Sequence, residues 1–214
     1  MIFLEENIPF PSPETASEEG IVAYGYDLTS KRLLEAYRKG IFPWYNEEEP
    51  VLWWSPNPRF VLFSEKLHIS KNIGKLLRKN IYQVTYNECF EEVIVNCASI
   101  ERKDQEGTWI HPEIISAYCE LHRMGYAFSV EVWEENELVG GLYGIKMGNI
   151  FCGESMFSKK NNASQYGFIT FLQHYPEIKL VDCQVYSEYL EKLGAEEIPR
   201  TEFLEILKKN IVSL

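Results

Sequence analysis

Apolar positions along this chain switch repeatedly between the two-residue spacing of a half-buried strand and the three-to-four-residue spacing of a helix. In the first sixty residues one helix is predicted, with Thr29 or Ser30 as N-cap, Leu33, Leu34 and Tyr37 on one face and Gly40 as terminator. The rest of that stretch is rich in Pro, Gly and aromatic residues and reads as turns and short extended pieces. Two prolines in Ser55-Pro56-Asn57-Pro58 forbid helix and fit a linker or edge. The pattern therefore divides into a small unit over 1–58 and a larger one over 59–214.

In the larger unit Phe60–Phe63 reads as a strand, Ser70–Lys79 as a basic helix and Tyr82–Tyr86 as a further strand. Two helices follow: Phe90, Val93, Ile94 and Cys97 keep helical spacing, as do Ile114, Tyr118, Leu121 and His122 after Pro112. Between them the charged, Gly-containing stretch Ser99–Thr108 is a candidate substrate flap. Next comes a meander over Ala127–Trp133, Glu137–Lys146 and Ile150–Glu154, then a helix over 161–175 that is apolar nearly all round. A strand over Lys179–Val185, a helix over Ser187–Leu193, a short extended Ala195–Ile198 and a closing helix capped by Thr201 complete the chain. Strands and helices in this mixed order predict an α+β fold.

Two of these strands carry groups that do not suit a core. Phe151-Cys-Gly-Glu-Ser-Met-Phe-Ser158 contains Glu154, and Val181-Asp-Cys-Gln-Val185 contains Asp182 and Gln184. A buried polar group without a partner costs about 1–3 kcal/mol. Either an internal network satisfies these side chains or they line a cleft that handles a polar substrate. Strict alternation along the second strand puts Asp182 and Gln184 on the same face.

Composition narrows the classes. With 214 residues, 45% hydrophobic and 14% aromatic, the chain has the material for a sizeable core. No apolar run reaches the roughly 18–20 residues of a membrane helix, and Met1–Glu6 lacks the features of a secretory signal, so a cytoplasmic protein is expected. Five cysteines without CxxC spacing read as reduced core residues, and the four dispersed histidines give no ligand pattern, so no metal is expected. The net charge of −11 argues against a broad nucleic-acid-coating surface. It is locally reversed, however: Lys66, Lys71, Lys75, Arg78 and Lys79 lie in a stretch without a single acid, which is either a solvated helix face or a phosphate-binding patch.

Ten short motifs, in order, resemble those of the leucyl/phenylalanyl-tRNA–protein transferases. They are Gly40-Ile-Phe-Pro-Trp44, Trp53-Trp-Ser-Pro-Asn-Pro-Arg59, Leu67-His-Ile-Ser70, Gly107-Thr-Trp-Ile110, Ser129-Val-Glu-Val-Trp133, Leu138-Val-Gly-Gly141, Phe151 to Ser158, Asn162-Ala-Ser164, Asp182-Cys-Gln184, and Leu193-Gly194 with Ile198-Pro-Arg200. The resemblance spans nearly everything from residue 8 onward. It implies an aminoacyltransferase that moves Leu or Phe from aminoacyl-tRNA to an N-terminal Arg or Lys of a protein, creating an N-degron. It also implies a small N-terminal α/β domain and a GNAT-like acyltransferase domain with a mixed, mostly antiparallel sheet, acting as a monomer without membrane, cofactor or metal.

Roles carry over residue by residue. Asp182 and Gln184 match the residues beside the reacting ester and amine. An amide is a poor base, so Gln184 is assigned to positioning, and the proton acceptor stays open among Asp182, a water and the terminal ribose. Glu154 matches an acidic residue near the acceptor peptide. Trp44 and Trp109 match tryptophans that contact the terminal adenosine, where a stacked base is worth about 1–3 kcal/mol. Leu142, Phe151, Phe168, Phe171 and Val181 match the pocket for the transferred side chain, positions that ordinary core packing also explains. Lys71, Lys75, Arg78 and Lys79 then suit tRNA phosphates.

The chain departs from the family pattern at Gly25-Tyr-Asp-Leu28, at Gln165 and in ending soon after the last helix. Two rival readings remain. An acetyl-CoA-dependent acetyltransferase needs a Gly-rich pyrophosphate loop, but Ser158-Lys-Lys-Asn-Asn-Ala-Ser164 has no such glycines. A non-catalytic adaptor for tRNA or N-degrons would keep its activity when Asp182 or Gln184 is replaced.

Overall fold

The computed structural model describes residues 2–5, 8–100 and 108–211, so most of the stretch read as a flap lies outside the described residues. The first sixty residues form strands β1 (Ile2–Leu4), β2 (Ile21–Gly25), β3 (Phe42–Pro43) and β4 (Val51–Trp54), with helix α1 (Ser30–Arg38) between β2 and β3. The four strands make one sheet in the order β1-β2-β4-β3, with β1 parallel to β2. Sequence periodicity does not reveal this sheet, because strands of two to five residues are too short to show alternation. Helix α1 starts as expected: the Thr29 hydroxyl accepts from the Arg32 amide, and Gly40 leaves the helix with φ +73°.

The larger unit runs β5 (Arg59–Phe63), α2 (Lys71–Lys79), β6 (Gln83–Tyr86), α3 (Phe90–Ser99), α4 (Pro112–Arg123), β7 (Ala127–Glu134), β8 (Glu137–Met147), β9 (Ile150–Ser158), α5 (Ala163–His174), β10 (Leu180–Gln184), α6 (Glu188–Glu191), β11 (Glu196–Ile198) and α7 (Arg200–Asn210). Some ends differ from expectation: β9 runs on to Ser158 instead of stopping at Glu154. The predicted helix over Ser187–Leu193 shrinks to α6, and α7 has Pro199 at its N-cap with no side-chain cap, so Thr201 lies inside the helix.

Its seven strands form a mixed sheet, ordered β11-β5-β10-β9-β8-β7-β6, in which only β9 and β10 pair in parallel. The fold is thus α+β, with a small N-terminal sheet and a larger, mostly antiparallel one. Helices cover both faces. A Cβ added to Gly140 would strike Ala163 of α5, whereas one added to its neighbour Gly141 would come within 3.4 Å of Val93 of α3. Adjacent residues of a strand point to opposite sides. So α5 and its neighbour α2 pack on one face and α3 on the other.

The two sheets share a core. Phe203 and Leu207 of α7 belong to the same buried cluster as Leu33, Tyr37 and Trp53. At its centre lies Arg59, the first residue of β5. Its Nε and Nη2 each donate to an Asp182 carboxylate oxygen at 2.7 Å, and the guanidinium is stacked between the rings of Phe42 and Phe203, 4.8 and 4.6 Å from their centroids. Both charged residues are 1% exposed.

Two stability predictions follow from this packing. Asp182→Ala strands a buried guanidinium and should cost about 3–5 kcal/mol in urea unfolding, whereas Arg59→Met combined with Asp182→Leu, which removes both charges, should restore most of the loss. A Gly40→Ala Cβ would sit 2.7 Å from Leu204 of α7 on a positive-φ backbone. That variant should lower stability by about 1–3 kcal/mol, seen as a falling urea midpoint with an unchanged slope.

Candidate active site

A cavity of about 410 Å³ opens where β9 and β10 part. The parallel ladder between them joins only Leu180–Asp182 to Ile150–Cys152. Beyond it β9 continues along β8 to Ser158, while β10 ends, so the edge of β9 at Gly153–Met156 faces the cavity instead of a strand. The volume lies within the range of small-ligand sites.

Each of the two parting strands carries a β-bulge at this point. Along β8, Tyr143 pairs with Ser155 and Gly144 with Gly153, which makes Glu154 the extra residue. Along β5, Val61 pairs with Asp182 and Phe60 with Gln184, which makes Cys183 the extra residue. A bulge breaks the alternation and re-aims the side chains beside it. The expectation that Asp182 and Gln184 share a face fails for this reason. Asp182 turns into the core toward Arg59, and Gln184 turns to the cavity with φ +68°. The bond from the Gln184 amide N–H to Asp182 Oδ1 (3.0 Å) steadies that left-handed residue.

Gln184 Nε2 donates to Glu154 Oε1 at 2.8 Å, and the Tyr118 hydroxyl donates to Glu154 Oε2 at 3.1 Å. Tyr118 is in turn hydrogen-bonded, through a short hydroxyl contact, to Tyr37 of α1. Burial holds both phenols well above the usual tyrosine range, so both remain protonated donors. Loss of hydration pushes the Glu154 carboxyl up to about 7, and the Asp182 charge adds to the rise, against the Tyr37, Tyr118 and Gln184 hydrogen bonds, which pull it down. A group poised near neutrality on a cavity wall is what proton transfer requires.

The apolar part of the cavity lies on the α5 side. Leu142, Phe151, Phe168 and Val181 line it. Phe171 does not; it stands behind Phe151, with ring centroids 4.8 Å apart, and supports that ring. Phe42, Pro43 and Trp44 enter from the N-terminal unit, and Trp109 comes from the segment before α4. Trp44 is 40% exposed, while Trp54 donates from its indole to the Trp44 carbonyl at 2.7 Å and Trp53 is buried against Phe10. Tyr186, Ser187 and Tyr189, after the bulge, complete the rim.

Lys71, Lys75, Arg78 and Lys79 do not line the cavity. They are exposed along α2, whose Ile73, Leu76 and Leu77 turn inward to the cluster that contains Phe168. Three residues of the network escape sequence reasoning. Arg59 sits in the stretch read as a boundary, and Tyr37 and Tyr118 occupy core positions of amphipathic helices. The available signal is chemical: a tyrosine among aliphatic core positions has a hydroxyl that needs a partner.

Residues 61–208 match the family model described as leucyl/phenylalanyl-tRNA protein transferase, and residues 26–57 match the model of that family's N-terminal domain. A protein of Flavobacterium johnsoniae named leucyl/phenylalanyl-tRNA–protein transferase is 55% identical over 210 residues, covering 97% of this chain and 99% of its own. One of the same name from Christiangramia forsetii is 54% identical over 211 residues, covering 97% and 100%. Among solved structures, a GCN5-related N-acetyltransferase from Kribbella flavida aligns with a TM-score of 0.38 and 8% identity over 82% of this chain and 63% of that one. The chain belongs to the leucyl/phenylalanyl-tRNA–protein transferase family and is a transferase enzyme.

Proposed function

We propose that the cavity receives the aminoacyl end of a tRNA and that the enzyme transfers Leu or Phe from it to the α-amine of an N-terminal Arg or Lys. One observation carries this reading: an apolar hole lined by Leu142, Phe151, Phe168 and Val181 lies directly beside the Glu154–Gln184 pair, within one cavity that Trp44 and Trp109 flank. Such a hole takes a Leu or Phe side chain and distinguishes chains of similar size poorly. Trp44 and Trp109 offer faces for the terminal adenosine.

The ester of an aminoacyl-tRNA is already reactive toward amines. The chain's own residues therefore supply alignment above all, which is worth on the order of 7–11 kcal/mol in good intramolecular models. Gln184, held by Glu154 and by the Asp182-braced backbone, positions the incoming amine beside the ester. Asp182 acts on Gln184 and not on substrate, since both its oxygens are engaged by Arg59. Glu154 offers negative charge to the cationic acceptor. The exposed cations Lys71, Lys75, Arg78 and Lys79 suit the phosphates of the acceptor stem, since α2 packs against α5, the helix that supplies Phe168 to the pocket.

Incubating the enzyme with radiolabelled Leu-tRNA and a peptide beginning with Arg, without coenzyme A, should move label into the peptide. Label that stays on the tRNA would overturn the reading. Removing one phosphate contact by Arg78→Ala should flatten the plot of log affinity for tRNA against log salt by about 0.9 and leave the saturated rate unchanged. An unaltered slope would exclude α2 from the tRNA contact.

A further inference from the structure

We propose that Glu154 is the proton acceptor of the reaction, taking a proton from the α-ammonium of the acceptor and so releasing the amine to attack. This rests on the aminoacyl-transfer reading above.

Geometry leaves few candidates. Among the described residues, three side chains with a carboxylate or amide group converge where the strands part: Asp182, Gln184 and Glu154. Asp182 is shut away, with one oxygen on Arg59 Nη2 and the other shared by Arg59 Nε and the Gln184 amide. It is absent from the cavity wall. Gln184 is on the wall, but a neutral amide does not hold an extra proton near neutrality. Among the described residues, Glu154 is the carboxylate that lines the cavity. Its bulged position places it at the unpaired edge of β9, where an incoming chain end can reach it.

The charge environment suits that task. From β10 Asp182 faces Glu154, its charge offset by Arg59; from α4 and α1 come the phenols of Tyr118 and Tyr37; and on β9 itself Cys152 stays a neutral thiol, pushed up by burial. On β8, Tyr143 packs edge-on against Tyr118 at 5.6 Å. The groups that hydrogen-bond Glu154 are thus uncharged donors, Gln184 and the phenols of Tyr118 and Tyr37. A cationic partner would hold the carboxylate ionised at every working pH. Uncharged donors leave it near 7, close to the ordinary α-amine range of about 7.7–8.0, and exchange of a proton between groups so matched has little uphill cost.

The step balances without any co-reactant. The ammonium gives one proton to a Glu154 oxygen, and the freed lone pair attacks the ester carbonyl carbon. The new C–N bond forms, the bond from that carbon to the ribose oxygen breaks, and the leaving oxygen takes the second amine proton. Glu154 then loses its proton to water, so one proton is released per transfer.

The test compares single-turnover rates at saturating acceptor for wild type and Glu154→Gln, using an Arg-initiated peptide and the same peptide with a weakly basic aminooxy group in place of the α-amine. With the amine, wild type should show a rate that rises through an inflection near 7. Glu154→Gln should be about 10²–10⁴-fold slower at pH 7, with a deficit that closes as the pH passes 8 and solvent deprotonates the amine. With the aminooxy peptide, which is already unprotonated at pH 7 and needs only the proton that passes to the leaving oxygen, the variant should stay within about tenfold of wild type. Tyr118→Phe deletes a hydrogen bond to the carboxylate, so it should move the wild-type inflection upward. An equal deficit on both peptides at every pH, or an inflection indifferent to Tyr118→Phe, would overturn the proposal; wild type that transfers nothing to the amine peptide would instead overturn the aminoacyl-transfer reading beneath it.

Discussion

The buried ion pair between Arg59 and Asp182 is the constraint on which the rest of the site depends. Ion pairs of this kind contribute little net stability, because the desolvation of two charges offsets most of their attraction. What the pair contributes is placement. A bidentate carboxylate has one orientation, and here its partner is clamped between Phe42 of the first sheet and Phe203 of the last helix. The N-terminal unit, the end of the chain and strand β10 are thereby located relative to one another at one point.

From that point a short chain of consequences leads to the chemistry. Asp182, drawn inward, shares Oδ1 between Arg59 Nε and the amide of Gln184 and so supports a left-handed residue that would otherwise be strained. The strand ends there, the ladder to β9 stops, and the edge of β9 that carries the bulged Glu154 is exposed. Gln184 then meets Glu154 across the gap. Two bulges on adjoining strands create both the opening and the aim of the groups inside it. A regular sheet at this place would bury the same backbone edge and offer no site.

This accounts for what was and was not legible in the sequence. Elements with a full period of pattern are found where their spacing places them: α3, α4 and the meander of β7 to β9 among them. Short strands of the first sheet are missed, since three residues such as Ile2–Leu4 carry no periodicity. The polar residues of β9 and β10 are conspicuous as misfits, but their directions cannot be read from alternation, which the bulges interrupt. Arg59 illustrates a second limit. Its partner lies 123 positions away, and nothing local distinguishes an arginine that opens a buried strand from one that begins a solvated linker. Resemblance to a family names Glu154, Asp182 and Gln184 together, yet it does not separate the carboxylate sealed in the core from the one that faces the cavity.

That separation carries the strongest physical argument about the site. A carboxylate beside a second one is harder to ionise unless the neighbouring charge is compensated. The chain resolves the conflict by pairing one and leaving the other to neutral donors. Asp182 is thereby committed to the core through Arg59, while Glu154 keeps a proton affinity near neutrality. The tyrosines extend the logic across the molecule: Tyr37 belongs to α1 of the N-terminal unit, and its hydroxyl reaches Glu154's partner Tyr118. The small unit thus supplies, besides the aromatic wall of Phe42 and Trp44, part of the hydrogen bonding that sets the proton affinity of the acid on the cavity wall. Displacing α1 would therefore alter the chemistry as well as the fit of the substrate.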